Sequence, residues 1–242
     1  MKKTILAILM VLPSLATAAG GGVHIDKVDL DLHNKESLQS GARLFVNYCL
    51  SCHSAAYQRY NRMAEDIGLT ESQVKSSLMF AGEKVGETMT IAMQTEDAKI
   101  YFGTKVPDLS VISRARGADW LYTYLRTFHT DDSRPFGVNN TTFKDVGMPH
   151  VLWELEGMKK LVNAEEMQKH PGTAPKFEVV SEGKMSAIEY DNAMRDLTAF
   201  MVYMGEPAKL VRYELGIYVL LFLALLFLVA YPMKKEFWKD IH

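Results

Sequence analysis

Covalent crosslinking has little to work with in this chain: of 242 residues only two are cysteine, Cys49 and Cys52, and they stand three positions apart. A framework of disulfides is thereby excluded, and stability must come from a packed core, for which the length is ample. An excess of one charge is missing too. Lys plus Arg number 27 and Asp plus Glu 29, a net charge of −2, which argues against a nucleic-acid-binding surface. No internal repeat, glycine-rich nucleotide loop or Ser-His-Asp arrangement can be read along the chain, so the signatures of solenoids, nucleotide enzymes and serine hydrolases are absent.

Long apolar runs are confined to the two ends. Met1-Lys2-Lys3 leads into an apolar stretch, Thr4 to Leu15, and then into Ala16-Thr17-Ala18, the small-x-small pattern a signal peptidase accepts. Residues 1–18 are predicted to be a signal peptide, since a membrane-spanning helix would need more length. At the other end, Leu215 to Met233 are 19 consecutive uncharged residues, about 28 Å of helix at 1.5 Å per residue. Tyr213 on one side, and Tyr231 and Trp238 on the other, suit the two interfaces of a bilayer. The sequence therefore divides into a signal peptide (1–18), an exported domain (19–206), a juxtamembrane linker (207–214), a transmembrane anchor (215–233) and a cytoplasmic tail (234–242) carrying Lys234, Lys235 and Lys239. Seven basic and three acidic residues fall outside 19–206, which leaves the exported domain with 20 against 26 and a net charge near −6. That balance allows a cationic partner.

Cys49-Leu50-Ser51-Cys52-His53 has the spacing of a c-type haem attachment site. Residues three apart share a helix face, so both thiols can reach the vinyl groups of one porphyrin, and His53 comes next, where its imidazole can bind iron. The lead-in, Leu38 to Val46, reads as a helix that puts Leu44 and Phe45 near the haem. A dithiol redox site would follow a strand, and a zinc site would need further ligands, which a chain with no second cysteine pair lacks.

The sixth iron ligand is open among the methionines, 14 in all, and His24, His33, His129, His150 and His170. A second histidine would lower the potential and a methionine would raise it. Two methionines stand out. Met148 sits in the turn-like Gly147-Met148-Pro149. Met185 precedes a well-signalled helix, in which Ser186 and Glu189 make a capping box and Tyr190, Met194, Leu197, Met201 and Met204 an apolar stripe. A methionine at the mouth of a capped helix is rigidly placed, and on that ground the spacing favours Met185 over Met148.

Residues 71–80 and 118–128 read as short helices, and 104–117 and 129–149 as loop-rich. Asn140-Thr141-Thr142 fits a glycosylation acceptor, to which the export signal alone lends little weight. Arg114 and Arg116 read from pattern alone as solvated surface arginines. Asp131, Asp132, Glu154, Glu156, Glu165, Glu166, Glu178 and Glu182 read first as ordinary solvated charge, with steering of a basic acceptor as the functional alternative.

Spread along the chain, several segments together resemble the cytochrome c1 family, the haem c subunit of the quinol–cytochrome c reductase (bc1) complex. They are Asn47-Tyr48 before the haem motif and Arg59-Tyr60 after it; Pro107-Asp108-Leu109-Ser110 leading to Arg114-Ala115-Arg116; Gly147-Met148-Pro149 leading to Leu152-Trp153-Glu154; Met185-Ser186; and the late anchor closing with Met233-Lys234-Lys235. The resemblance implies Cys49 and Cys52 as thioether cysteines, His53 as proximal ligand, Met185 as axial methionine with Met148 in the pocket, Arg116 as the propionate-binding arginine and Trp120 as a haem-edge aromatic. Val106 stands where the family often has a second proline, Tyr101-Phe102-Gly103 lacks the asparagines of mitochondrial members, and the loop between Arg126 and Met148 is unlike theirs. The pattern suits a bacterial member.

The expected architecture is mainly α: a cytochrome c-like haem domain with long inserted loops, plus one C-terminal transmembrane helix. The resemblance implies an electron carrier on the periplasmic side of the bacterial inner membrane. It would take electrons from the Rieske iron–sulfur subunit beside cytochrome b and pass them to a cytochrome c. Two other readings compete: a haem enzyme with an open sixth site, and an anchored cytochrome serving an oxidase or a dehydrogenase.

Overall fold

Asn34 opens the first helix by accepting from the Ser37 backbone N–H at 3.1 Å, and α1 runs Lys35–Leu44. In the computed structural model, which describes residues 22–240, the helical path does not stop at Leu44. It continues through a π-helical turn, Phe45–Cys49, closed by Leu50 N–H donating to the Phe45 carbonyl at 2.9 Å. Such a turn holds an extra residue and re-aims the chain beyond it. The predicted signal peptide lies outside the described residues.

Beyond the turn the chain forms β1 (Ala55–Arg59), α2 (Tyr60–Ile67), α3 (Glu71–Ser77), β2 (Thr88–Met89), α4 (Thr95–Phe102), α5 (Ile112–Arg116), α6 (Ala118–Leu125), β3 (Phe128–Thr130), β4 (Val138–Asn140), α7 (Trp153–Glu156), β5 (Gly157–Leu161), α8 (Ala164–Lys169), β6 (Phe177–Glu182), α9 (Ala187–Gly205) and α10 (Lys209–Phe237). The fold is mainly helical, as expected. The expected loops hold more structure than their composition signals, with α5 inside 104–117 and β4 inside 129–149, and outside them the chain forms two further antiparallel ribbons, β1–β2 and β5–β6. The helix expected over 118–128 ends at Leu125, and Phe128 already belongs to β3.

The core is built on the crossing of α1 and α9. The capping box at the start of α9 is present, with Ser186 N–H donating to Glu189 Oε2 at 2.8 Å. At the crossing, a Cβ on Gly41 would meet the Asp196 carbonyl oxygen and stand 2.7 Å from Phe200 Cβ. Glycine alone permits that approach, which Ser37 Oγ fastens by donating to Asp196 Oδ1 at 2.5 Å. Phe45 packs on Phe200 with ring centroids 5.5 Å apart. Leu44 and Phe45 are thus structural members of this core; neither borders the cavity beneath the π-helical turn.

Asn140, 1 % exposed, is a buried staple. Its Oδ1 accepts from Thr127 Oγ1 and from the Thr142 and Phe143 backbone N–H groups, and its Nδ2 donates to the Tyr124 carbonyl at 2.8 Å. This amide has no face left for a glycan. Its work is to close the β3–β4 ribbon onto α6.

Helix α10, 29 residues or about 44 Å long, is exposed along its length and is the one helix among the described residues long and apolar enough to cross a membrane. Only Glu206–Ala208 separate it from α9, so most of the predicted linker, 207–214, is already helix.

Candidate functional site

Beneath the π-helical turn lies a cavity of about 340 Å³ with a mostly apolar lining. Cys49, Cys52 and His53 all border it. The turn that carries them is closed by Cys52 N–H and His53 N–H, both donating to the Cys49 carbonyl, at 3.1 and 2.8 Å. Burial, with Cys52 adding to it, pushes the Cys49 thiol up to about 12. The two cysteines form no disulfide with each other.

The Pro107-Asp108-Leu109-Ser110 segment explains the orientation of His53. Its Nδ1 donates to the Pro107 carbonyl at 2.7 Å, which fixes the proton on Nδ1 and leaves Nε2 as the lone-pair nitrogen. The rest of the segment is strapped to the chain just after the histidine. Asp108 Oδ2 accepts from Ala56 N–H at 2.9 Å, Leu109 N–H donates to the Ser54 carbonyl at 2.8 Å, and Ser110 Oγ accepts from Tyr57 N–H at 3.1 Å. Burial lowers the pKa of His53, with the Pro107 hydrogen bond and Asp108 opposing it, and so favours the neutral ring that binds metals.

A wall of aromatic rings rises along α6. Arg116 lies over Trp120 at 5.0 Å, Trp120 stacks on Tyr124 at 5.0 Å with an 8° interplanar angle, and Tyr124 meets Phe128 edge-on at 5.2 Å. Phe128 stacks in turn on the buried His150 at 4.9 Å. The helix repeat accounts for the Trp120–Tyr124 stack alone; Arg116 comes from the end of α5 and Phe128 from β3. Arg116, Trp120 and Tyr124 border the cavity; Arg114 does not. Burial raises the pKa of the Tyr124 hydroxyl far above its usual range and keeps it protonated.

Of the two methionines singled out in the sequence, one borders the cavity. Met148 borders the cavity, and its Sδ accepts from the Tyr124 hydroxyl at 3.2 Å; Met201 borders it as well. Met185 does not. Its backbone N–H donates to the Leu155 carbonyl at 3.0 Å, next to Lys184 N–H on the Glu154 carbonyl at 2.8 Å, which ties the mouth of α9 to α7. The start of the capped helix is held firmly, as expected, and Met185 at its mouth packs against the main core. None of His24, His33, His129, His150 and His170 borders the cavity either. Glu156 is another departure. Expected on the surface, it is nearly buried, with His150 Nε2 3.0 Å from one oxygen and the Lys159 ammonium against the other.

A slot of this lining, with two thiols on one turn and an imidazole whose Nε2 is free, accepts a flat apolar macrocycle held by thioether bonds. The residues present fit a haem, and the class they define is the c-type cytochromes, here on a membrane anchor. The chain belongs to the cytochrome c1 family: the model described as "Cytochrome C1 family" matches residues 27–241. It is 47% identical to the cytochrome c1 of Allochromatium vinosum, with all of both chains covered. A Nitrosomonas europaea protein named ammonia monooxygenase gamma subunit is 46% identical, over all of this chain and 99% of that one. The cytochrome c1 of Rhodospirillum rubrum is 24% identical, over 99% of this chain and 97% of the relative. The protein is therefore a membrane-anchored electron-transfer subunit of the c type, and its family carries haem c covalently bound.

Proposed function

We propose that this chain takes electrons from the Rieske iron–sulfur subunit of a bc1 complex and passes them to a cytochrome c, on the periplasmic face of the bacterial inner membrane, as one step of quinol oxidation coupled to proton translocation. The observation that carries the reading is the one cavity shared by Cys49, Cys52, His53 and Arg116 in a chain of the cytochrome c1 family. Bound haem supplies reversible one-electron chemistry at iron. Cys49 and Cys52 would hold the porphyrin, and His53 Nε2 and Met185 Sδ would ligate the iron, with Met148 in the wall of the pocket. Met201 is a poorer candidate. It lies one turn before Gly205, against which Ser110 and Ser113 pack, and so belongs to the His53 side of the cavity. Arg116, held between Trp120 and Phe143, would offset the charge of a propionate, which is costly to bury unpaired. The apolar lining excludes water and, with methionine as ligand, favours a high potential.

With both axial positions filled, the chain alone is a carrier and not a catalyst. Its partners are then proteins: cytochrome b and the Rieske subunit within the complex, and an acceptor that a domain charge near −6 would steer if it is basic. The name of the Nitrosomonas relative favours one other reading, an anchored cytochrome serving a different membrane oxidoreductase. Purification from membranes in mild detergent separates the two. Two b-type haems, an iron–sulfur protein and quinol-dependent reduction of cytochrome c are expected to accompany this chain. Copurification with an oxygenase or oxidase lacking a b-type quinol site would favour the other.

A further inference from the structure

We propose that Glu156 is a positioning residue for the axial methionine: its buried carboxylate, paired with Lys159, fixes the mouth of α9 against the cavity wall carried by α6 and so sets the strength of the iron–sulfur bond. The inference rests on the reading of Met185 as the sixth ligand and goes beyond it, because it assigns the holding of that ligand to a charge pair neither member of which borders the cavity.

Backbone bonds tie Met185 to α7: its N–H donates to the Leu155 carbonyl at 3.0 Å, and Lys184 N–H to the Glu154 carbonyl at 2.8 Å. Helix α7 is only four residues long, Trp153–Glu156, and a single turn has no stiffness of its own. Its side chains must fix it. Glu156 turns inward, with one oxygen against the Lys159 ammonium and the other 3.0 Å from His150 Nε2. Lys159 Nζ also donates to the Arg126 carbonyl at 2.6 Å, where α6 ends. Tyr190, in the first turn of α9, donates its hydroxyl to the neighbouring Leu125 carbonyl at 2.8 Å. The last carbonyls of a helix lack partners within it and suit a cation. At the end of α6 one is taken by α9 itself, and the next by α7 through Glu156 and Lys159. The same α6 carries Trp120, Leu121, Tyr124 and Leu125 of the cavity wall.

Burial makes this pair a clamp. The side chains of Glu156 and Lys159 are 11% and 14% exposed, against 45% and 70% for Glu154 and Lys184, a pair of the same chemistry at the surface. Burial pulls the pKa of Lys159 down, and Glu156 opposes it. A buried ammonium without its counter-ion is costly, so an uncharged residue at 156 would send Lys159 out to solvent and release the Arg126 carbonyl. Helix α7 then loses its tie to α6, and Met185 moves with α7. Where the sulfur retreats from iron, a nitrogen ligand replaces it more readily, and the potential falls.

The test uses the full-length haem-loaded chain in detergent, titrated with imidazole, and reads the iron–sulfur charge-transfer absorption of the oxidised form and the midpoint potential. In Glu156→Gln the absorption is expected to weaken, the potential to fall, and imidazole to displace the sulfur at about tenfold lower concentration. Lys159→Met should do the same, and the double variant little more than either, because the two residues form one tie. Glu154→Gln breaks the exposed pair with Lys184, leaves the Glu154 carbonyl in place, and should match the unaltered protein. If Glu156→Gln fails to hold haem, Glu156→Asp keeps the charge but shortens its reach, and should show the same changes to a smaller degree. The inference is overturned if absorption, imidazole affinity and potential are all unchanged in Glu156→Gln, or in Glu156→Asp where the first does not assemble. Fully additive losses in the double variant, or an equal response in Glu154→Gln, overturn it too. Persistence of the absorption in Met185→Leu would instead overturn the ligand assignment on which it rests.

Discussion

His53 donates through Nδ1 to the carbonyl oxygen of Pro107 at 2.7 Å, across 54 positions of sequence. The ring at the end of the haem motif is therefore aimed by a segment whose side chains do no chemistry of their own. Asp108 holds that segment in place by accepting from Ala56 N–H at 2.9 Å and Ser110 N–H at 2.7 Å. Asp108→Ala should lower the denaturation midpoint by an amount equivalent to about 1–2 kcal/mol, since the side chain is exposed and water replaces part of what is lost. Asp108→Asn, which keeps one acceptor oxygen, should recover part of it.

In the proposed site the covalent link would rest on two thiols, each tethering one vinyl carbon. Cys49→Ala or Cys52→Ala should weaken haem attachment and the double variant abolish it. Haem staining of a denaturing gel reads the result, and a full-strength band in the double variant would sink the attachment site.

Met185→Leu is expected to lose the iron–sulfur charge-transfer absorption and to lower the potential sharply, because thioether sulfur favours ferrous iron. Met148→Leu, a near-isosteric change in the cavity wall, should keep both and cost less than about 1.5 kcal/mol. Optical spectra of the two variants separate the assignments.

Gly41→Ala would drive a methyl group into the backbone of α9 at Asp196. Neither helix can withdraw without opening the core, so a loss of about 1–3 kcal/mol is expected in chemical denaturation.

Asp119 joins the N-terminal stretch of the exported domain to α6: Lys27 Nζ donates to it at 2.7 Å and Val28 N–H at 3.0 Å. The lysine hydrogen bond first, and then the backbone one, hold its pKa below the ordinary aspartate value. A carboxylate depressed in the folded state contributes its stability above the unfolded pKa, and the contribution is lost as pH falls through the lower folded value. Asp119→Asn should thus cost about 1 kcal/mol at pH 7 and make the acid limb of the stability curve shallower below about pH 4, as measured by urea denaturation at a series of pH values.

What could be read from sequence was what local chemistry dictates. Two thioether bonds to one ring require Cys49 and Cys52 at their spacing, and a capped amphipathic helix announces itself through Ser186, Glu189 and the stripe from Tyr190 to Met204. The aromatic column was not local: Arg116, Trp120, Tyr124 and Phe128 come from α5, α6 and β3, and only the tertiary fold lines them up. The β5–β6 ribbon escaped notice because Lys159, Lys160, Glu178 and Glu182 dilute its alternation, and Asn140 looked like a surface residue because polar staples and polar surfaces share a composition.

The joint between α9 and α10 is three residues long, Glu206 to Ala208, and even fully extended such a joint spans only about 10 Å. One of the residues bordering the cavity, Met201, stands one turn before that joint. The redox centre is consequently moored like a fixed berth, with almost no slack in its line. Any shuttle that loads or unloads it has to do the travelling, and the time per electron is then governed by the motion of the visitors rather than of the host.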